Sequence, residues 1–255
     1  MALKRLHQRI FTLLCILCVY GLSAQQQPTY FQQHQAALGY YDLGQWGMAA
    51  QLWEELLSLE PGYHAPERLD TERYYLQARL LQGQKGAQLA LDQWLIEHPS
   101  TPGVSEANLV LADHAFSQGN YTESAARYQQ LDTDILHRPD NLKHVYQQGF
   151  SLVALEDFTA AQASWQYLAD RETWKDAARF YLGYIAYRTD LWDDALNFWG
   201  DSFADSAYNE RADYLKADLF FRKKEYNLAI DLSKRLYPQV STAQQASLDH
   251  ILGQC

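Results

Sequence analysis

The chain has 255 residues, of which 47% are apolar and 14% aromatic, enough to bury a sizeable core and to exclude a largely disordered chain. Its 31 acidic and 21 basic side chains give a net charge of -10, which disfavours a polyanionic partner such as nucleic acid. With 7 prolines and 13 glycines there are few breakers, so the composition favours helices joined by short turns over many short strands.

Residues 1–24 have the pattern of a signal peptide. A basic start without an acidic residue precedes residues 10–22 (IFTLLCILCVYGL), an uncharged and largely apolar run. Because this run is shorter than the roughly 20 residues that span a bilayer as a helix, we favour a cleaved signal over a permanent membrane anchor. We expect cleavage after Ala24 and export of the mature chain to the periplasm or the outer membrane.

A recurring pattern fills the rest of the chain: a small residue, an apolar residue three positions on, a turn, an aromatic residue, Ala or Ser, and then a bulky side chain. The clearest copy runs from Ala112 to Leu131, and the next from Gly149 to Leu168. The six small residues that mark the copies follow one another at intervals of 41, 34, 37, 34 and 34 residues: Ala37, Ala78, Ala112, Gly149, Gly183 and Ala217. Such a period predicts a series of paired antiparallel helices.

With this pattern and this period, the chain resembles a tetratricopeptide repeat (TPR) protein over residues 30–238. The resemblance implies an all-α fold, a right-handed superhelical solenoid of about six helical hairpins plus a partial seventh, continuous over residues 25–255. We expect the hairpins at residues 30–61, 71–99, 105–138, 142–171, 176–206 and 210–238, and the partial seventh at 241–255.

The bulky rings of five copies should insert between neighbouring hairpins, because an isolated helix pair cannot cover its own apolar face. The small residues should let the two helices of a pair approach closely. The expected wedges are Trp53, Trp94, Tyr128, Trp165 and Trp199.

Two interpretations fit residues 241–254 (STAQQASLDHILGQ), which have apolar residues at helical spacing. The segment either caps the last hairpin or opens a further copy that is cut off partway. We favour the second, because Leu252-Gly253 repeats the pairing of Leu182-Gly183 and because the chain is similar to the amino-terminal part of long exported TPR proteins of Gram-negative bacteria. The chain is then a fragment of a longer protein.

In TPR proteins the first helix of each pair lines the concave side, so positions three before and four after each small residue should face a groove. Eight of these twelve residues are Tyr or Phe. Such rings either pack against adjacent hairpins or bind a peptide or helix of a partner. The candidate partner-binding residues are Tyr41, Tyr75, Arg79, Phe116, Tyr146, Phe180, Tyr187, Tyr214 and Phe221.

Charged anchors are few. Chaperone-binding TPR domains hold a terminal carboxylate with Lys and Asn, and the corresponding positions here hold no lysine, which disfavours that class. Arg79, Arg188 and Arg222 are candidate anchors for an acidic peptide, with solvated side chains as the alternative.

Catalytic motifs are missing from the sequence: it has no His-Glu-x-x-His, no cysteine-rich metal cluster, no phosphate-binding glycine loop and no nucleophile elbow. We therefore expect no enzyme activity, no metal and no cofactor. The sequence favours a scaffold or adaptor of the bacterial cell envelope that binds a protein or peptide, with peripheral attachment to outer-membrane machinery. The alternatives are a glycan- or cell-wall-binding accessory protein and a regulatory repeat region of a longer protein.

Overall fold

The computed structural model describes residues 29–59, 65–131, 134 and 141–255. The expected signal peptide, residues 1–24, lies outside the described residues. Within the described ranges every regular element is a helix, which confirms the all-α prediction.

The α-helices of these ranges, numbered α1 to α13 in chain order, are Tyr30–Asp42, Trp46–Leu57, Ala65–Leu81, Ala87–Glu97, Val104–Ser117, Tyr121–Gln129, Leu142–Ala154, Phe158–Ala169, Lys175–Arg188, Trp192–Phe198, Ser206–Arg222, Tyr226–Leu236 and Thr242–Gln254. Short 3-10 turns lie at Glu172–Trp174 and Tyr237–Gln239. Helices α1 to α12 form six hairpins of a first and a second helix, and α13 packs against α11 and α12.

The chain divides into two compact units. The first ends at Gly103 and contains α1 to α4, and the second begins at Val104 and contains α5 to α13. In the first unit Trp53 stacks on Tyr74 with ring centroids 5.3 Å apart. In the second, Trp165 stacks on Tyr181 with centroids 4.3 Å apart. Each unit therefore has its own aromatic core.

The turn inside each hairpin contains a residue in the left-handed region. Gly44 and Gly119 adopt it with φ of 72°, which costs glycine little. The equivalent turns of the fourth, fifth and sixth hairpins place Glu156, Asp190 and Lys224 there, with φ of 60°, 61° and 64°. These three turns carry backbone strain that a glycine would not have.

All five predicted wedge rings are buried: Trp53, Trp94, Tyr128, Trp165 and Trp199. In the fourth and fifth hairpins the ring lies directly over the small residue of its own hairpin. A Cβ atom built on Gly183 would lie 2.3 Å from Nε1 of Trp199, and one on Gly149 would lie 2.9 Å from the ring of Trp165. Only glycine fits at these two positions without a shift of the ring.

The sixth hairpin departs from this arrangement. Its small residue is Ala217, and the residue at the position of the wedge is Ser233, which is fully buried. The hydroxyl of Ser233 has no hydrogen-bond partner among the described residues. Aliphatic side chains fill the core of this hairpin together with Leu248 and Ile251 of α13.

Candidate functional site

First helices of the second unit line a groove, which we call the first-helix groove. One section has a volume of about 460 Å³ and lies between α7, α9 and α11, with Gln244 of α13 at its end. A second section of about 500 Å³ lies between α9, α11 and α13. Because both sections are lined by Tyr214 and Leu215, they form one continuous surface.

Each first helix contributes one face to this groove, because residues three and four positions apart lie on the same side of a helix. Helix α9 provides Phe180, Tyr181, Tyr184, Tyr187 and Arg188. Helix α11 provides Arg211, Tyr214, Leu215 and Asp218. The surface is thus mainly aromatic and aliphatic, with a few charged groups.

Buried wedge rings hold the aromatic wall in place. Tyr181 stacks on Trp165, and Phe180 lies 6.2 Å from Trp199 and 5.2 Å from Tyr208, measured between ring centroids. Because these rings are fixed from behind, the wall exists before a partner arrives, and binding there costs little ordering of the protein.

Two ion pairs lie at the groove, and in each an arginine is paired with an acid of this same chain. The guanidinium of Arg188 donates to Glu156 at 2.7 Å and to the hydroxyl of Tyr184 at 2.9 Å. The hydrogen bond with Glu156 raises the pKa of Arg188. Asp218 accepts hydrogen bonds from Tyr187 and from Arg222, each at 2.5 Å.

Two tyrosines of the wall, Tyr181 and Tyr187, have a raised pKa. Burial and the hydrogen bond to Asp218 raise the pKa of Tyr187 to about 12. Burial also raises the pKa of Tyr181. The hydroxyls therefore act as hydrogen-bonding groups rather than as charges.

Arg211 differs from Arg188 and Arg222. It is exposed, and it forms no ion pair or hydrogen bond with the part of the chain that the structure describes. Its positive charge opposes the effect of burial on the pKa of Tyr181 and of Tyr208, so it lies near both rings.

The structure brings six of the nine predicted partner-binding residues to this region. Phe180, Tyr187 and Tyr214 line the groove. The other three contact its lining: ring centroids are 6.4 Å apart for Tyr146 and Tyr181, 5.6 Å for Phe116 and Phe150, and 6.2 Å for Phe221 and His250. Phe180 is buried, so most of its surface serves packing.

The remaining three predicted residues lie in the first unit and contact their own neighbours. Tyr41 lies 5.7 Å from Trp53, ring to ring. The hydroxyl of Tyr75 donates to Glu54 at 3.2 Å. Arg79 donates to Gln84 at 2.7 Å, and its guanidinium lies 5.4 Å from the ring of Tyr75.

Sequence reasoning missed several lining residues: Phe150, Tyr181, Tyr184, Arg211 and Leu215. It used only positions three before and four after each small residue. A helix face that contains both also contains the position one after the small residue, where Phe150 and Tyr184 stand. Extending the helical stripe to its neighbours would have found them.

No group of three His, Cys, Asp or Glu side chains in the described ranges is arranged to hold a metal ion. Over the same ranges, no helix combines the length and the apolar character required to cross a membrane.

Stacked helix pairs with a groove along their first helices define a helical repeat protein. Residues 75–134 and 146–209 match the family model of the tetratricopeptide repeat. The chain is a tetratricopeptide repeat protein, which confirms the resemblance inferred from its sequence.

Solved structures with this fold are similar to the chain. A tetratricopeptide repeat protein from Parabacteroides merdae aligns with a TM-score of 0.53 at 15% identity, covering 88% of this chain and 86% of that one. Pseudomonas aeruginosa PilF aligns with a TM-score of 0.51 at 15% identity, covering 87% and 96%. At such low identity the likeness shows the fold alone. No curated protein sequence matches the chain significantly.

Proposed function

We propose that this chain is a non-catalytic scaffold or adaptor that binds a segment of a partner protein in the first-helix groove. The observation that carries the proposal is the continuous aromatic and aliphatic surface from α7 to α13. The tetratricopeptide repeat fold supports the coarser statement, a protein-protein interaction scaffold.

The form of the groove favours a linear segment as the ligand. It is an open channel across three first helices and α13, whereas sites for small molecules are mostly closed pockets that bury nearly the whole ligand. A helix or an extended peptide can place successive side chains along such a channel. Tyrosine walls supply contact area together with polar tips for hydrogen bonds.

A peptide display experiment tests this proposal. Random 16-residue peptides are selected on the protein and on Leu215→Arg, which places a charge where the two sections of the groove meet. We expect the enriched peptides to bind the parent protein and not this variant. Val153→Arg, at the α7 wall, serves as a second block if Leu215→Arg fails to fold.

The matched control is Leu228→Arg, the same substitution at an exposed leucine of the second helix α12, outside the groove. Peptides selected on the parent protein should bind this control normally. If no peptide shows groove-dependent enrichment, the proposed function is wrong.

We also propose that the scaffold works in the bacterial cell envelope, in the periplasm or at outer-membrane machinery. The support is the basic and then apolar pattern of residues 1–24. Cell fractionation of a carboxy-terminally tagged chain, with amino-terminal sequencing of the product, tests it. A cytoplasmic product that keeps residues 1–24 would contradict this placement.

A further inference from the structure

One arginine of the first-helix groove, Arg211, has no acidic partner among the residues that the structure describes. On its own helix, the positions three and four away from Arg211 hold Ala207, Tyr208, Tyr214 and Leu215, so no carboxylate lies within reach along α11. The two acids that line the groove are already engaged: Glu156 by Arg188, and Asp218 by Tyr187 and Arg222.

This arrangement occurs in a chain with an excess of acidic residues and a net charge of -10. The candidate anchors Arg188 and Arg222 both have acidic partners of their own, at 2.7 Å and 2.5 Å. Arg211 stands instead beside the apolar and aromatic wall formed by Tyr181, Tyr184 and Leu215. The charge left for a partner in this groove is therefore positive.

We propose that the segment bound in the first-helix groove carries an Asp or Glu side chain next to a large apolar side chain. The carboxylate pairs with the guanidinium of Arg211, and the apolar side chain packs on Tyr181, Tyr184 and Leu215. This inference rests on the proposed function of the groove and names the chemistry of its ligand.

Desolvation provides the selectivity. A segment that covers Arg211 removes water from the guanidinium, and only a carboxylate replaces that water with a charge-assisted pair of hydrogen bonds. A neutral segment would leave the charge buried and unpaired, and a basic one would add repulsion. Because the acids of the groove are engaged, a basic segment also gains no free carboxylate.

The test uses the same display selection, with peptides fused at their carboxyl ends so that only side-chain carboxylates are available. The selection is repeated on Arg211→Gln and on Lys224→Gln. Lys224 is an exposed lysine in the turn between α11 and α12, outside the groove lining, so its substitution is a matched loss of one charge.

We expect the parent protein and Lys224→Gln to enrich peptides with Asp or Glu beside a large apolar residue, and Arg211→Gln to lose this preference. A selected peptide, made with an amidated carboxyl end, should bind Arg211→Gln about tenfold more weakly than the parent. Replacing the Asp or Glu of this peptide with Asn or Gln should weaken its binding to the parent protein by a similar factor. The same replacement should leave its binding to Arg211→Gln nearly unchanged.

Groove-dependent peptides without an acidic preference would overturn this inference and leave the proposed function standing. The same holds if Arg211→Gln and Lys224→Gln bind the selected peptides equally well. If Leu215→Arg has no effect on any enriched peptide, both the inference and the proposed function are wrong.

Discussion

The fifth and sixth hairpins fill the space between their helices in different ways. In the fifth, the ring of Trp199 is fully buried and lies over Gly183, and its Nε1 donates to the carbonyl of Phe180 at 3.1 Å. In the sixth, the equivalent pair is Ala217 and Ser233, and the serine hydroxyl has no partner in the described chain.

This difference shows that the small residue and the ring act as a pair in the fifth hairpin. The Trp199 ring fills the space that Gly183 leaves by having no side chain, so close packing of this hairpin requires both residues. In the sixth hairpin the bulk comes from leucines and from α13, so Ala217 and Ser233 are free of that coupling.

We expect the largest loss of stability for Trp199→Ser. This variant gives the fifth hairpin the serine that the sixth hairpin has at the wedge position. Truncation of a buried Trp leaves a cavity and frees the carbonyl of Phe180, so we expect a loss of about 3–5 kcal/mol in the free energy of unfolding. Urea unfolding followed by circular dichroism measures it.

The control is Trp192→Ser, at the partly exposed first residue of α10 in the same hairpin. It should cost less than half as much. Equal losses for the two variants would mean that burial under the next hairpin contributes little.

Gly183→Ala tests the other member of the pair. Its new Cβ would approach the Trp199 ring to 2.3 Å, and the forced shift of the ring should cost about 1–3 kcal/mol. In the Trp199→Ser background the same change should cost nothing and should gain up to about 1 kcal/mol from helix propensity, because the ring is gone. Urea unfolding of the two single variants and the double variant gives the coupling energy.

Gly253→Ala is the matched control for this change, since no described atom outside the backbone of its own helix turn and its two chain neighbours lies within 4 Å of a Cβ built there. A helical glycine in open space should gain stability on replacement, by up to about 1 kcal/mol. The proposed pairing fails if Gly183→Ala behaves like this control.

Much of the fold was predictable from the sequence because the same pattern of a helix pair occurs in six copies along the chain. Small residues such as Ala112 and rings such as Trp165 stand at fixed spacing, and both are buried as expected. For the sixth copy, however, the sequence predicts no wedge ring. The residue at its wedge position is Ser233, and the core of this hairpin is filled partly by Leu248 and Ile251 of α13, whose packing cannot be read from local spacing.

The groove was predictable in part. Phe180, Tyr187 and Tyr214 were found because a helix repeats its face at known intervals. The pairing of the arginines was not predictable, since Arg188 pairs with an acid 32 positions away and Arg211 has no such acid in the described ranges. Ion pairing between hairpins follows from tertiary contacts that no single repeat contains.

Ser233→Ala should raise the free energy of unfolding by about 1 kcal/mol, because it removes from the sixth hairpin a buried hydroxyl that has no partner in the described part of the chain. Thermal unfolding measures the change. Ser124→Ala is the control: Ser124 is also fully buried on a second helix, but it accepts a hydrogen bond from Ser151 at 3.2 Å. That variant should be less stable than the parent, and a loss of the same size in Ser233→Ala would show that the Ser233 hydroxyl is satisfied.

The smallest expected effect concerns the turn of the sixth hairpin. Lys224→Gly relieves a left-handed residue at φ 64°, a gain of about 1–2 kcal/mol, but adds unfolded-chain entropy of about 0.5–1 kcal/mol. The net gain should be about 0.5 kcal/mol by urea unfolding. The reverse change, Gly119→Lys, in the corresponding turn of the third hairpin, should lose a similar amount, because the two turns share one backbone conformation. A gain in stability for Lys224→Gly and a loss for Gly119→Lys would show that the left-handed backbone conformation of the turn decides which residue is preferred there. The presence or absence of a wedge ring in the hairpin would then make no difference to the turn.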